Sequence, residues 1–429
     1  MLNAIEVLKS IIISSNSKVA QREKNKRTYF LNNYDNMKTP DIINRNLNID
    51  HLKNILIVFP SSFSVNKKDE LKAIINKKLQ LSHVKVSKIV NEEACIAFEV
   101  TDVVEAAAIT SEMFGIDKVA IAERIENGFN DVVNAIVNTG KQIILPGEKF
   151  FVKVYTSNSA KKISYVGRDI EFASVGNLIT ELSPITVTPA KNEHEADKIV
   201  LAYIGKDSAY ICLQIDKALG GLPFGYQNEK IMCSIHNILS FISCMLAVKC
   251  GFIPELFILY TNEYGLKENA KLFGHIASKM DVKKHRIRLL HVDIPDRHDD
   301  HIKFMLQESI STRILTLLPG KRLVVPLSAA IHPPWFVEAV MKKITHAGKA
   351  SWMPLMLLTT GIYHEAISMG LKDKIILIDP LINNMTFTKL EYKKYESMID
   401  TLSKVAIKNM KTISLNVGPN YLHDIIDSI

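Results

Sequence analysis

The sequence has few of the features of membrane-spanning, secreted or zinc-binding proteins. No uncharged apolar run reaches the ~18 residues that a membrane span requires. The first residues, MLNAIEVLKSIIISS, have neither a basic leader nor a small-residue cleavage site, so we expect no signal peptide. The cysteines form no C-x-x-C pair and no zinc-type spacing, and they are Cys95, Cys212, Cys233, Cys244 and Cys250. We therefore predict buried thiols in a reducing cytoplasm.

Charge and hydrophobic content are those of an ordinary globular protein. Charged residues make up 23% of the chain and hydrophobic residues 47%, and 429 residues are enough for two or three domains. The net charge of +8 permits a polyanionic partner without requiring one. Residues 1–50 are rich in Asn and Lys, with a basic cluster at residues 22–27. This basic N-terminal extension is either a solvated segment or an arm that contacts phosphate.

Residues 51–125 alternate between strand and helix patterns. We predict strands at 55–59, 84–90 and 95–100 and helices at 70–79 and 103–113. This β-α-β-β-α order is typical of a ferredoxin-like domain. The loop after the first strand carries Lys67 and Lys68, which keep positive charge at that end of the sheet.

Residues 126–218 form a second α/β region with a basic loop. We predict helices at 130–139 and 169–176 and strands at 149–154, 198–204 and 209–215. The basic residues of this region are Lys153, Lys161, Lys162 and Arg168. A basic loop on a small sheet either holds an RNA backbone through its phosphates or only keeps the surface soluble.

The chain is organised around residues 219–251. A turn with Gly220, Gly221, Pro223 and Gly225 precedes an apolar strand at 231–235, a loop, and a buried helix that ends at Gly251. The alternation continues with strands at 256–260, 288–292, 322–327 and 355–358 and helices at 267–280, 301–317, 335–346, 363–369 and 390–408. Such strand–helix repeats predict an α/β fold with a doubly wound parallel sheet. Ligands of such sheets bind at the carboxyl ends of the strands.

The motif G-G-L-P-F-G at residues 220–225, followed by a strand, a loop and a helix ending in K-x-G, resembles the tRNA 4-thiouridine synthetases. These are sulfurtransferases that are also named for thiamine biosynthesis. A helix that ends in Phe114-Gly115-Ile116 is a second similarity. The resemblance implies a ferredoxin-like domain (51–125), an RNA-binding THUMP domain (126–218), a PP-loop domain similar to the adenine nucleotide alpha hydrolases (219–380) and extensions at 1–50 and 381–429. It also implies a cytoplasmic protein that binds tRNA or structured RNA and has no membrane segment, with a homodimer as the candidate assembly.

The loop that holds ATP phosphate in that family reads S-G-G-[IF]-D-S, whereas residues 235–240 read I-H-N-I-L-S, so only the final serine matches. Histidine and asparagine add side chains where phosphate oxygens would lie. The family's active cysteine is also missing, since no cysteine follows Cys250. The implied nucleotide-binding positions are Gly220, Gly221, Pro223, Gly225, Cys233, Ser234, His236, Asn237 and Ser240. The implied RNA-binding positions are Lys67, Lys68, Lys153, Lys161, Lys162 and Arg168.

The resemblance therefore favours a tRNA-binding protein without intact adenylation and sulfur-transfer chemistry, and with no certain cofactor. Two alternatives are an active ATP- and magnesium-dependent tRNA sulfurtransferase with an altered loop, and a scaffold that binds a protein in the former nucleotide cleft.

Other residue groups suggest further chemistry. The His- and Asp-rich segment 291–301 either binds a divalent metal or caps a helix and follows a strand end. His236 and Ser240 could form a base and a nucleophile, or could be ordinary loop and helix residues.

Overall fold

A computed structural model describes residues 54–160, 165–280, 282, 284–295, 300–356, 367, 388–416 and 425–426. Its strands are β1 Asn54–Pro60, β2 Val86–Asn91, β3 Ile96–Val100, β4 Ile116–Ile125, β5 Lys149–Thr156, β6 Thr188–Pro189, β7 Lys198–Ile204, β8 Ala209–Gly220, β9 Lys230–Ile235, β10 Ile253–Tyr260, β11 Lys284–His291, β12 Arg322–Val324, β13 Ala350–Trp352 and β14 Lys411–Asn416. Its helices are α1 Lys68–Leu81, α2 Val103–Ser111, α3 Phe129–Ile143, α4 Gly167–Glu181, α5 Ile238–Lys249, α6 Glu263–Lys279, α7 Asp300–Leu317, α8 Pro334–His346 and α9 Lys389–Lys408. None of the helices in these ranges is long and apolar enough to cross a membrane.

The first eight strands form one sheet in the order β2-β3-β1-β4-β8-β7-β5-β6. Most neighbours are antiparallel, but β5 runs parallel to both β7 and β6. Helices α1 and α2 cover the half built from β1 to β4, and α3 and α4 cover the half built from β5 to β8. The two predicted N-terminal domains therefore share a continuous sheet.

The opposite face of this sheet is also buried, around Tyr203 of β7 and Tyr210 of β8. Their rings stack with centroids 6.2 Å apart. The Tyr203 hydroxyl accepts a hydrogen bond of 3.3 Å from the backbone N–H of Ala94, which precedes β3. Burial raises the pKa of Tyr203 to about 12. The sheet is therefore curved, so that β7 and β8 in one half contact residues near β3 in the other half.

Strand β4 was not predicted from the sequence. Its sequence, IDKVAIAERI, shows no simple alternation, because Val119 and Ile121 pack on one face of the sheet while Ala120 and Ala122 pack on the other. The strand pairs with β1 on one side and with β8 on the other. It completes the ferredoxin-like half and joins it to the next one.

The remaining strands form a six-stranded sheet in the order β13-β12-β9-β10-β11-β14. Its strands are parallel except β14, which pairs antiparallel with β11 at the edge and was also missed. Strand β12 is shorter than predicted because Pro326 has no N–H to continue the ladder. The strand expected at 355–358 lies earlier, at Ala350–Trp352, since Pro354 starts a turn. Its last two residues, and nearly all of the predicted helix 363–369, lie outside the described residues.

The core of the second sheet is centred on α5, which has the sequence ILSFISCMLAVK and buries nine of its twelve residues. A helix that is apolar on every side must be enclosed by protein, as α5 is between the sheet and its neighbours. The α/β fold class with a parallel sheet is confirmed. The division into domains at the stated boundaries stays a prediction.

Candidate functional site

The loop after β9 ends in a helix start that is capped by its own side chains. Asn237 is the N-cap of α5, and its Oδ1 accepts a hydrogen bond of 2.8 Å from the Ser240 N–H. The Ser240 hydroxyl accepts hydrogen bonds from the N–H groups of His236 (2.9 Å) and Asn237 (3.0 Å). Three backbone donors of this turn are therefore already satisfied within the chain.

A buried carboxylate from a distant helix reaches the same loop. Glu308 of α7 accepts a hydrogen bond of 2.7 Å at Oε1 from Asn237 Nδ2. The same oxygen lies 3.1 Å from His236 Nε2, and the Glu308 and His236 side chains are 1% and 0% exposed. On its other side, the His236 ring contacts the Ser234 hydroxyl, 3.1 Å from Nδ1. One carboxylate oxygen of Glu308, Oε1, therefore links the loop to α7.

The charge of Glu308 is maintained by its neighbours. Burial alone would raise the pKa of this carboxyl, but the His236 and His332 rings and the Asn237 amide outweigh it, so the pKa lies below its usual range. Burial lowers the pKa of His332, against the opposing effect of Glu308 and of the Ser328 carbonyl. The His332 ring lies between Phe304 and Phe336, with centroids 5.6 and 5.5 Å away. A negative charge is therefore fixed beside the helix N-terminus.

The N–H donors of this loop already have acceptors within the chain, and a carboxylate lies beside them. Phosphate binding at a helix N-terminus needs free inward-pointing N–H groups and the absence of competing anions. Here Ser240 takes the N–H groups, and the Glu308 carboxylate lies where it would repel phosphate. The Ser234–His236–Glu308 series resembles a catalytic triad in connectivity, but all three side chains are buried away from solvent. Ser240, proposed from the sequence as a nucleophile, is instead a capping residue.

The glycine-rich turn lies at the other end of α5. The Leu222 N–H donates to the Lys249 carbonyl (2.8 Å), and the Gln227 N–H donates to the Gly251 carbonyl (2.9 Å). Gly221 has φ +75°, and a Cβ there would collide with the Lys249 carbonyl oxygen. A helix of twelve residues is about 18 Å long. Gly220, Gly221, Pro223 and Gly225 therefore do not form one site with His236, Asn237 and Ser240, and Cys233 points into the core.

Most of the predicted RNA-binding cations that the structure describes have partners within the protein. Lys67 pairs with Glu70 at 3.3 Å, and Lys68 donates to the carbonyls of Glu92 and Glu93. Lys153 pairs with Glu193 at 3.2 Å, and this carboxylate raises the pKa of Lys153. Lys161 and Lys162 lie outside the described residues.

Arg168 is the exception. It is exposed on α4 and has no ion pair or hydrogen bond within the described part of the chain. It borders a groove of about 360 Å³ between α4, β5 and the end of β6, together with Phe172 one helical turn later. The Phe172 side chain is 85% exposed. Phe172 was not predicted from the sequence as a site residue. The spacing of Ile170, Ser174 and Leu178 marks the buried face of α4, and Phe172 lies on the opposite, exposed face.

The remaining candidates are structural. Cys95, Cys212, Cys233 and Cys244 are buried, as predicted, whereas Cys250 is half-buried, and no disulfide joins any two of these five described cysteines. Burial raises the pKa of Cys212 to about 12. Among the residues that the structure covers, no group of three or more His, Cys, Asp or Glu side chains is placed to hold a metal ion. Part of the His- and Asp-rich segment, residues 296–299, lies outside that coverage.

Comparison of the sequence with known proteins finds relatives that match part of the chain. No protein-family model matches the chain. A segment of 175 residues is 25% identical to a probable tRNA sulfurtransferase of Methanosarcina mazei, covering 41% of this chain and 42% of that protein. Another of 172 residues is 26% identical to a probable tRNA sulfurtransferase of Lactobacillus acidophilus, covering 39% and 41%. The chain thus spans about two fifths of the length of the curated relatives it matches.

Two solved structures share the fold. One is a 4-thiouridine synthetase–RNA complex with bound ATP, with a TM-score of 0.58 and 14% identity over 85% of this chain and 100% of that one. The other is PH1313 from Pyrococcus horikoshii Ot3, with a TM-score of 0.54 and 17% identity over 74% and 100%. The predicted resemblance is confirmed: this chain is similar to the tRNA 4-thiouridine synthetase family of tRNA sulfurtransferases, at low identity.

Proposed function

We propose that this protein binds structured RNA, with tRNA as the first candidate, and that it does not carry out ATP-dependent adenylation and sulfur transfer. The observation that carries the second part is the loop after β9, where Ser240 and Glu308 take the positions that a phosphate would need. The first part is supported by the names of the sequence relatives and by the fold shared with a synthetase–RNA complex. Because the relatives are matched over only part of their length, their activity comes to this chain as a proposal.

The cationic surface supports the RNA part. Arg168 and Phe172 present a guanidinium and an aromatic ring on one face of α4, and Lys161 and Lys162 stand shortly before that helix in the sequence. Guanidinium groups contact phosphate and exposed aromatic rings stack on unpaired bases, so this combination suits a nucleic acid. Because the sequence relatives are probable tRNA sulfurtransferases, we also propose a cytoplasmic location.

The first test is a calorimetric titration with ATP and magnesium, with and without bulk tRNA. We expect heat with tRNA and none with ATP. Micromolar ATP binding would instead favour an active sulfurtransferase that uses an altered loop. If neither ATP nor tRNA produced heat, the result would contradict RNA binding and favour a protein scaffold.

The second test replaces Lys161, Lys162 and Arg168 together with alanine. We expect weaker tRNA binding, and a slope of log affinity against log salt that is smaller by about 2 to 3, since each lost phosphate contact removes slightly less than one. The control replaces Lys267, Lys342 and Lys404, which pair with acidic neighbours on helices of the second sheet, and removes the same charge. Equal losses in the two variants would mean that net charge alone drives binding.

A further inference from the structure

Strand β5 is paired along only part of its outer edge. Alternate residues of a strand direct their N–H and C=O groups to opposite neighbours, and the Lys149 carbonyl, which accepts from Asp197 ahead of β7, faces β7. The backbone groups of Phe150, Val152 and Val154 therefore face the other way, toward β6. Strand β6 has two residues, and its pairing with β5 ends at Phe150. Beyond that point no further strand of the described chain lies against this edge.

The edge groups on either side of Val152 have partners, whereas those of Val152 have none among the described residues. The Phe150 carbonyl accepts from the Ala190 N–H at 2.7 Å. The Val154 N–H donates to Glu171 Oε1 of α4 at 2.8 Å, so this carboxylate oxygen stands where the carbonyl of a neighbouring strand would lie. A strand edge with unpaired N–H and C=O groups is a template for a further strand. The Val152 backbone is that template here.

A groove of about 360 Å³ opens beside this position. Its lining includes Val152, the side chains of Phe172 and Val175 on α4, and Pro189 at the end of β6. Arg168 is the only cation of this lining in the described part of the chain. A nucleic acid would use the guanidinium and the exposed ring, but it has no strand to add to the edge. The combination of apolar walls, one cation and an unpaired strand edge therefore favours a polypeptide.

The spacing of residues on α4 matches that of an extended chain. Arg168 and Phe172 are four positions apart, which is about 6 Å along a helix axis. Side chains two positions apart on a strand share a face and are about 6.6 Å apart. One extended segment can therefore place an apolar side chain at Phe172 and a carboxylate at Arg168. Arginine binds a carboxylate through two parallel N–H···O hydrogen bonds, so the charge of the groove calls for an acidic residue.

We propose that the groove between α4 and the outer edge of β5 binds an extended peptide segment of a protein partner as an added strand. The segment pairs with the Val152 backbone, and it carries an aliphatic residue against Phe172 and an acidic residue two positions away at Arg168. In this mode the main-chain hydrogen bonds supply affinity and the side-chain contacts supply specificity. The proposal does not rest on RNA binding, and an RNA that contacts Arg168 would compete with the peptide.

The test is a selection of phage-displayed random hexapeptides against the purified full chain, followed by Kd measurements on the synthetic peptides by fluorescence polarisation. We expect enriched sequences with an aliphatic and an acidic residue two positions apart. The same selection against Arg168→Glu should enrich a basic residue in place of the acidic one. Methylating the peptide amide that pairs with Val152 should raise the Kd about tenfold, because it removes one main-chain hydrogen bond.

Phe172→Ser should also raise the Kd of the selected peptides about tenfold, since aromatic anchors carry much of the binding energy at such contacts. The matched control is Tyr264→Ser, which removes a ring that is 75% exposed on α6, and it should leave the Kd unchanged. The absence of an enriched motif, or a motif and Kd that neither groove variant alters, would overturn the proposal. Loss of oligouridylate binding in Phe172→Ser, without any enriched peptide, would assign the groove to RNA and overturn it as well.

Discussion

Replacing Ser240 with alanine tests whether the capped loop after β9 is held by the serine hydroxyl. The hydroxyl accepts from two backbone N–H groups and donates to the Asn237 carbonyl at 2.8 Å. Alanine leaves both N–H groups unpaired, His236 in a buried position and Asn237 in a half-buried one. An unpaired buried donor costs about 1–3 kcal/mol, so we expect a loss of about 2–4 kcal/mol in the free energy of unfolding.

Ser243 provides the matched control one turn later on α5. Its hydroxyl is fully buried and has no hydrogen-bond partner among the described residues. Ser243→Ala removes an unsatisfied polar group, so stability should stay unchanged or rise by up to about 1 kcal/mol.

The assay is urea unfolding followed by tryptophan fluorescence. Both tryptophans, Trp335 and Trp352, belong to the six-stranded sheet and its helices, so the signal reports the part of the protein that contains α5. The difference between the two midpoints, multiplied by a common slope, gives the effect of the capping hydroxyl. Equal midpoints for the two variants would refute the reasoning and would mean that the loop is held by Asn237 and Glu308 alone.

Two further predictions concern pH and backbone strain. Burial, with a smaller effect of Lys78, lowers the pKa of His285 to about 4 from 6.5. The native state therefore binds fewer protons than the unfolded state between these values, and stability should fall as the pH drops from about 6.5 to about 4, by at most ~3 kcal/mol. His285→Gln should flatten this part of the urea-midpoint profile, and an unchanged slope would contradict the assignment. Gly221→Ala should lower the free energy of unfolding by more than ~1 kcal/mol, because φ is positive at this position and Lys249 lies where the Cβ would be. Gly176→Ala should raise it by about 0.5–1 kcal/mol, because Gly176 lies in a helix and its Cβ would meet open space. Thermal melts of the two glycine variants decide this, and similar shifts would count against the turn geometry.

The sequence predicted those elements whose pattern is local. Strand β7 and the span of α9 follow from apolar runs and helical periodicity, and their observed bounds differ from the prediction by one residue at most. Strand β4 was missed because both of its faces are buried in core clusters, which removes the alternation that marks a half-buried strand. Strand β14 does alternate, with Ile413 and Leu415 facing the hydrophobic core, so its signal was present in a region beyond the family resemblance.

The candidate site was only partly predictable for a similar reason. His236, Asn237 and Ser240 were found because they follow a strand and precede a helix. Glu308 was not, since nothing in the helix sequence distinguishes it from the neighbouring Gln307, and its partner lies 71 residues away. A buried charge becomes recognisable only when the element that neutralises it is known.

The pairing of β4 with β8 determines when the N-terminal half can finish folding. Ile116 lies opposite Gly220, so the ribosome must deliver about a hundred further residues before β4 gains its second neighbour. Until then one edge of β4 presents unpaired backbone groups, which other nascent chains can join. A fragment cut after Ile125, at the boundary that the family resemblance suggests, would keep that edge permanently open. Residues 54–220 are therefore the smallest N-terminal piece in which β4 has both of its neighbouring strands at full length.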